Sequence, residues 1–206
     1  MLTYPSIPLF TNDFIGKSGY SYDKYDGQNL RFEYSWKKKK WTKFGSRTTM
    51  FDASNNEFGK SIELFEETLA ADVTNILYKK YRHMNIDHVT VFAEYYGEKS
   101  IAGIHHKDDI MKLKLFDVAI NNQFISPKMF DRNFGDLEHS AELIYNGPIT
   151  EKFIENVKTN SLPDINLFEG VVIKGGEDSI WRTKQKTNEY KELLKRIYAG
   201  EWEKFV

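Results

Sequence analysis

Lys24 stands two residues before Asp26 and Gly27, in "KYDG". An amine so placed is a candidate nucleophile, but a free lysine is protonated at neutral pH and cannot attack. Desolvation or nearby positive charge must first remove the proton. Tyr22 and Tyr25 offer apolar cover, while Asp23 and Asp26 favour the ammonium. The same Lys-x-Asp-Gly also suits a β-turn of solvated charges, so further groups must decide. Four segments follow in order. "VFAEYYG" places Glu94 near a strand end, and "LKLFDV" places Phe116 beside Asp117. "LFEGVVIK" puts Glu169 at the head of an apolar strand and Lys174 at its tail. "WRTKQK" sets Lys184 and Lys186 two apart, on one face of a strand. Taken singly, Glu94 suits a solvated strand end, Phe116 a core, and the lysine pair a solvated face. Glu169 is different, because an acid entering "GVVI" risks burial and needs a cation. Together they read as a nucleotide site. A triphosphate is the electrophile, lysines and a divalent ion take the developing charge, carboxylate oxygen holds the ion, an acceptor meets the sugar hydroxyls, and an aromatic face meets the base.

Elements must hold these groups. In "LRFEYSW", Leu30, Phe32, Tyr34 and Trp36 alternate with Arg31, Glu33 and Ser35, the pattern of a half-buried strand. "KKKK" (37–40) reads as an exposed turn, and 41–47 as the returning strand. Residues 61–83 read as one helix, with Ile62, Phe65, Leu69, Val73, Ile76 and Leu77 at steps of three and four. Strands are predicted over 88–97, 112–120 and 170–174. A short helix is predicted over 150–159, capped by Thr150. A closing helix over 188–199 is predicted to stop at Gly200. Glu169 and Lys174 differ by an odd number of positions. Either Glu169 precedes its strand or Gly170 makes a bulge. Strands with a few helices in no βαβ rhythm predict an α+β domain built on antiparallel sheets.

The 206 residues suit a single domain spanning 1–206. A net charge of −1 confines any nucleic-acid site to a local patch. With no cysteine, disulfides, thiolate zinc sites and cysteine nucleophiles are excluded. No apolar run is long enough to span a membrane, and the first residues lack a signal-peptide pattern, so a cytoplasmic protein is expected.

The ordered set "KYDGQN", "FAEYYG", "KLFDV", "EGVVIK" and "KQK" resembles motifs I, III, IIIa, IV and V of the covalent nucleotidyltransferases. These are the ATP-dependent DNA and RNA ligases and the mRNA capping enzymes. The resemblance implies an antiparallel-sheet adenylylation domain with flanking helices. It implies that Lys24 attacks the α-phosphate of ATP and carries AMP, that Glu94 holds the ribose, and that Phe116 stacks on adenine. Glu169 would position Mg2+ or Mn2+, and Lys174, Lys184 and Lys186 would contact phosphates. Asp26 belongs to the first motif. "GSR" resembles motif Ia, giving Arg47 the ribose or the acceptor end. Asn29 falls where RNA ligases that seal nicked duplexes have asparagine, which favours RNA over DNA. Members of the family usually carry a second domain after motif V, and only 20 residues follow Lys186 here. No OB-fold is expected, and sealing with help from an accessory partner stands beside a minimal monomeric ligase. The rivals are a DNA ligase, a guanylyltransferase, and a binding module that kept the fold without catalysis.

"WKKKKWTKFGSR" (36–47) holds Lys37, Lys38, Lys39, Lys40, Lys43 and Arg47 with two tryptophans and no acid. It suits phosphate pairing with ring stacking on bases, the partner being RNA or, in the alternative, DNA. A soluble hairpin turn with its tryptophans in the core is the other reading. His105 and His106 are adjacent and a poor metal pair, so they read as loop residues.

Overall fold

The structure, a computed structural model, describes residues 1–98, 100 and 109–205. His105 and His106 lie outside the described residues. After a 3-10 turn at Asn12–Phe14 come β1 (Ser18–Lys24), β2 (Gly27–Ser35), β3 (Lys40–Ser46) and β4 (Met50–Phe51). Next are α1 (Lys60–Phe65), α2 (Ala71–Tyr81), β5 (His88–Tyr96), β6 (Lys112–Ile120) and β7 (Gln123–Phe124). The chain continues through α3 (Pro127–Phe134), β8 (Leu143–Pro148), α4 (Glu151–Lys158), β9 (Gly170–Gly175), β10 (Trp181–Lys186) and α5 (Asn188–Tyr198). A 3-10 segment, Ala199–Phe205, follows. Among the described residues the strands form two antiparallel sheets, in the orders β4-β3-β2-β5-β6-β7 and β10-β9-β1-β8. The α+β expectation therefore holds.

One core lies between the larger sheet and the long helix. Leu30, Phe32 and Tyr34 face Phe65, Leu69, Val73 and Leu77, all buried in one cluster. Phe32 stacks on Phe65 with ring centroids 4.0 Å apart. Each such side chain contributes roughly 1.5–3 kcal/mol on burial, so this face holds the helix more than its intrinsic propensity does. A second core, with Ile154 and Val157 against Val171 and Ile173, seats α4 on the smaller sheet. Thr150 caps that helix as predicted, its hydroxyl accepting from the Phe153 N–H at 3.1 Å.

Four expectations are corrected. The single helix over 61–83 is instead α1 and α2 joined by a π-helical stretch, Glu66–Ala70, and it ends at Tyr81. Arg31 and Glu33, on the face of β2 read as solvated, are 5% and 4% exposed. The first residues of the chain cover that face: the Arg31 guanidinium donates to the Leu2 carbonyl at 2.9 Å, and Lys43 pairs with Glu33 at 2.6 Å. The tryptophans of 36–47 are not free stacking platforms. Trp36 stacks on Tyr78 at 4.9 Å and Trp41 meets Phe65 edge-on at 4.7 Å, so both pack on the core. The closing helix ends one residue early, because Ala199, at φ +44°, already leaves the helix before Gly200.

Candidate nucleotide-binding site

Lys24 is the last residue of β1, and β1 lies beside β9, with Lys24 opposite Gly170. β10 pairs with β9 on its other side, and Lys186 is also opposite Gly170. Gly170 thus sits under both lysines. It adopts φ +145°, and a Cβ there would lie 2.1 Å from the Gln185 carbonyl oxygen. Only glycine fits, and its conformation turns Glu169 out of the strand's alternation. Glu169 precedes β9, which resolves the odd spacing to Lys174.

The Glu169 side chain is 4% exposed, and its Oε1 receives two amines: Lys24 Nζ at 2.9 Å and Lys186 Nζ at 2.8 Å. Lys184 lines the same cleft, as the two-residue spacing predicted. Burial works to lower the Lys24 amine, but Glu169 and then Glu94 outweigh it, and the amine is held above the ordinary lysine value. Glu169 therefore holds Lys24 as an ammonium. Lys184 is pushed down to about 8 by burial, then by Lys186 and Lys24. Lys186 is lowered by burial against the pull of Glu169.

The cleft has a volume of about 640 Å³, on the scale of small-molecule sites. Asp26, Asn29, Arg47, Glu94, Phe116 and Lys174 all line it, so the structure brings every predicted nucleotide residue together. Asn29 and Glu94 are direct partners across β2 and β5. Burial pushes the Glu94 carboxyl up to about 8, with Lys24 opposing. The side-chain oxygen of Asn29 is buried without a hydrogen-bond partner, an acceptor left for something that enters the cleft. Arg47 is exposed at the rim and donates to the Ser6 hydroxyl at 2.9 Å. Lys174 lines the cleft, but its amine donates to the Phe116 carbonyl and pairs with Asp117 at 3.3 Å. Lys37, Lys38, Lys39, Lys40 and Lys43 do not line the cleft.

Several residues escape sequence reading. Asp117, 2% exposed, is a hub: Tyr4 Oη donates to it at 2.9 Å, and Arg182 Nη2 pairs with it at 2.9 Å. Tyr4 also meets the Phe116 ring edge-on at 5.0 Å, so the arm before β1 forms one wall of the cleft. Pro8 and Phe10 hydrogen-bond to Lys184 through the backbone, running the arm along β10. Tyr190 on α5 donates to Asp26 Oδ1 at 3.0 Å, and Lys186 Nζ sits 4.7 Å from its ring centroid. Tyr190 shares the apolar stripe of α5 with Leu194, and that local pattern gives no sign of the polar contact. The Phe205 carbonyl accepts from Lys186 Nζ at 2.5 Å.

Glu169 offers carboxylate oxygen of the kind a hard divalent ion takes, whereas no group of three or more acidic or histidine side chains among the described residues is poised to hold a metal by itself.

Two antiparallel sheets carrying a lysine at a strand end, an acid at the head of the neighbouring strand and a late lysine pair define the nucleotidyltransferase class. The RNA ligase family model matches residues 22–197. The chain belongs to the RNA ligase family. Among solved structures it is similar to an archaeal ATP-dependent RNA ligase, with a TM-score of 0.64 at 13% identity, over 97% of this chain and 52% of that one. It is also similar to a Naegleria gruberi RNA ligase with PPi, with a TM-score of 0.59 at 12% identity, over 93% of this chain and 57% of that one. A further match is the E312A mutant of the Naegleria gruberi enzyme with AMP and Mn, with a TM-score of 0.60 at 13% identity, over 92% and 57% of the two chains. At such identity the likeness is one of fold. The chain spans about half the length of these structures. No curated protein sequence matches it.

Proposed function

We propose that the chain is an ATP-dependent RNA ligase that works through a lysyl-AMP intermediate. The observation that carries this reading is the convergence of Lys24 and Lys186 on one buried Glu169 oxygen, at 2.9 and 2.8 Å, in a cleft that also holds Glu94 and Phe116. ATP enters with its adenine against Phe116 and its ribose hydroxyls at Glu94. Lys184 and Lys186 meet the phosphates, with Lys174 joining them if its amine leaves the Phe116 carbonyl. Glu169 would hold Mg2+ or Mn2+, which would supply charge neutralisation at the phosphates. As Glu169 turns from Lys24 toward cationic charge, the amine loses the anion that keeps it protonated, and Lys184 adds repulsion against the ammonium.

The Lys24 nitrogen then attacks the α-phosphorus. The N–P bond forms, the bond to the bridging oxygen breaks, pyrophosphate leaves with that electron pair, and the lysine proton passes to solvent. A 5′-phosphate oxygen next attacks the same phosphorus, frees Lys24 and gives a 5′–5′ linked AMP end. A 3′-hydroxyl finally attacks that 5′-phosphate, closes the strand and releases AMP. RNA is favoured over DNA by Asn29, and a guanylyltransferase would take GTP. Incubation with α-labelled ATP and magnesium should label the wild type and leave Lys24→Ala unlabelled. An unlabelled wild type would favour the binding-module reading. Labelled protein mixed with matched RNA and DNA nicks and single strands then identifies the acceptor.

A further inference from the structure

The far end of the larger sheet carries a charge concentration that neither contributing segment reveals by itself. Lys37, Lys38 and Lys39 lie in the exposed turn between β2 and β3, and the exposed Lys40 opens β3. The stacking of Trp36 on Tyr78 at 4.9 Å, with the Trp36 N–H donating to the Asp87 carbonyl at 3.0 Å, clamps that turn against the end of α2. There Lys79, Lys80 and Arg82 are exposed as well. Residues 34–51 and 73–86 contain no acidic side chain; of the acids that flank them, Glu33 is buried and pairs with Lys43. In a chain of net charge −1 this is a strongly basic pole. Lys39 sits at φ +53°, a left-handed conformation that glycine or asparagine adopts at lower cost. A lysine occupies it all the same.

The pole is not at the cleft. β2 runs from Gly27, in the cleft wall, to Ser35 at the turn, roughly 26 Å at ~3.3 Å per residue. Arg47 at the rim and the exposed Lys43 lie between along β3. Single-strand sites combine cations with open aromatic faces on which bases stack. Here Trp36 and Trp41 are consumed by Tyr78 and Phe65. What remains is charge without a base platform, held at a fixed distance from the chemistry. A rigid polyanion spans such a distance, whereas a flexible strand needs stacking to stay in register.

Building on the ligase reading, we propose that this pole grips the sugar–phosphate backbone of a duplex arm roughly 26 Å from the ends being joined, the length of β2. The contact is sequence-independent and adds to affinity and orientation, not to the chemistry at Lys24.

The test uses the full chain and two combined variants. One is Lys79→Ser with Lys80→Ser and Arg82→Ser. The other is Lys37→Ser with Lys38→Ser, Lys39→Gly and Lys40→Ser. Binding of nicked RNA duplexes with arms of about five and about fifteen base pairs is measured across a salt series. The long-armed duplex should bind wild type with the steeper salt dependence. Each variant should flatten its log–log slope by roughly 2–4, near 0.9 per lost phosphate contact, and weaken it on the order of 10–100-fold at low salt. Binding of the short-armed duplex should be unchanged. Equal loss on both arm lengths, or no loss on either, overturns the proposal. So does retention of anionic vesicles or an acidic polypeptide by the wild type with no dependence on arm length. Labelling of Lys24 by ATP is read on the same preparations. Arm-length dependence without labelling sinks the ligase reading and leaves the basic pole standing. Labelling without arm-length dependence sinks the pole alone.

Discussion

Replacing Glu169 by glutamine should destabilise the protein more than replacing Lys24 by methionine, although Lys24 is the proposed nucleophile. The difference is electrostatic. Glu169 is 4% exposed at its side chain and neutralises two amines at once. Glutamine fills the same space but leaves Lys186, 4% exposed, and Lys24, 20% exposed, without their anion. Removing one partner of a buried ion pair costs about 3–5 kcal/mol. Removing Lys24 deletes one charge-assisted hydrogen bond, about 1.5–3 kcal/mol, and Glu169 keeps Lys186. The double variant should be more stable than the sum of the two losses by about 1–2 kcal/mol, because methionine at position 24 removes one of the cations that glutamine orphans. In a chain of this size 3–5 kcal/mol corresponds to about 6–20 °C in Tm. Urea unfolding of the wild type, both single variants and the double variant completes the cycle. If Lys24→Met proves as costly as Glu169→Gln, or if the two losses add, the shared carboxylate does not neutralise the pair as described.

Three other predictions follow from different contacts. Tyr190→Phe keeps the ring beneath Lys186 but deletes the bond to Asp26, and should cost about 1–2 kcal/mol in urea unfolding, whereas Tyr190→Leu should cost more. Asp117→Asn should lower stability by about 3–5 kcal/mol and raise the KM for ATP, since it frees both Lys174 and the Phe116 segment; an unchanged KM would remove Asp117 from nucleotide positioning. The Glu94 carboxyl titrates near 8 in the folded protein against an ordinary value near 4.5, so the unfolded chain gives up this proton first as pH rises. Stability should therefore fall between about pH 4.5 and 8 through this residue, by an amount on the order of 5 kcal/mol, and Glu94→Gln should flatten that fall in unfolding midpoints.

The sequence was most legible where local rules act. Alternation in β2, the Thr150 cap and the two-residue spacing of Lys184 and Lys186 all depend on neighbours along the chain. The ordered motifs placed Lys24, Glu94, Phe116 and Glu169 around one cleft without any coordinates. What stayed hidden depends on partners far away in sequence. Tyr4 reaches Asp117 and Tyr190 reaches Asp26 only after the sheets have formed. Arg31 and Glu33 looked solvated because nothing in the local pattern announces that the first residues cover them. The rings of Trp36 and Trp41 carry no local mark that says whether they face core or substrate. The π-helical stretch shifts the face of a helix whose apolar period still suits one continuous cylinder.

The family match stops at residues 22 and 197, yet the pocket does not. Tyr4 lies before the first boundary, and Phe205, whose carbonyl holds Lys186, lies beyond the second. A fragment trimmed to those limits would bare the outer strand of the smaller sheet, losing the backbone pairing of Pro8 and Phe10 with Lys184, and would present a ready template for self-association. Expression boundaries and fusion tags should therefore be chosen by what touches the cleft, not by where sequence similarity ends.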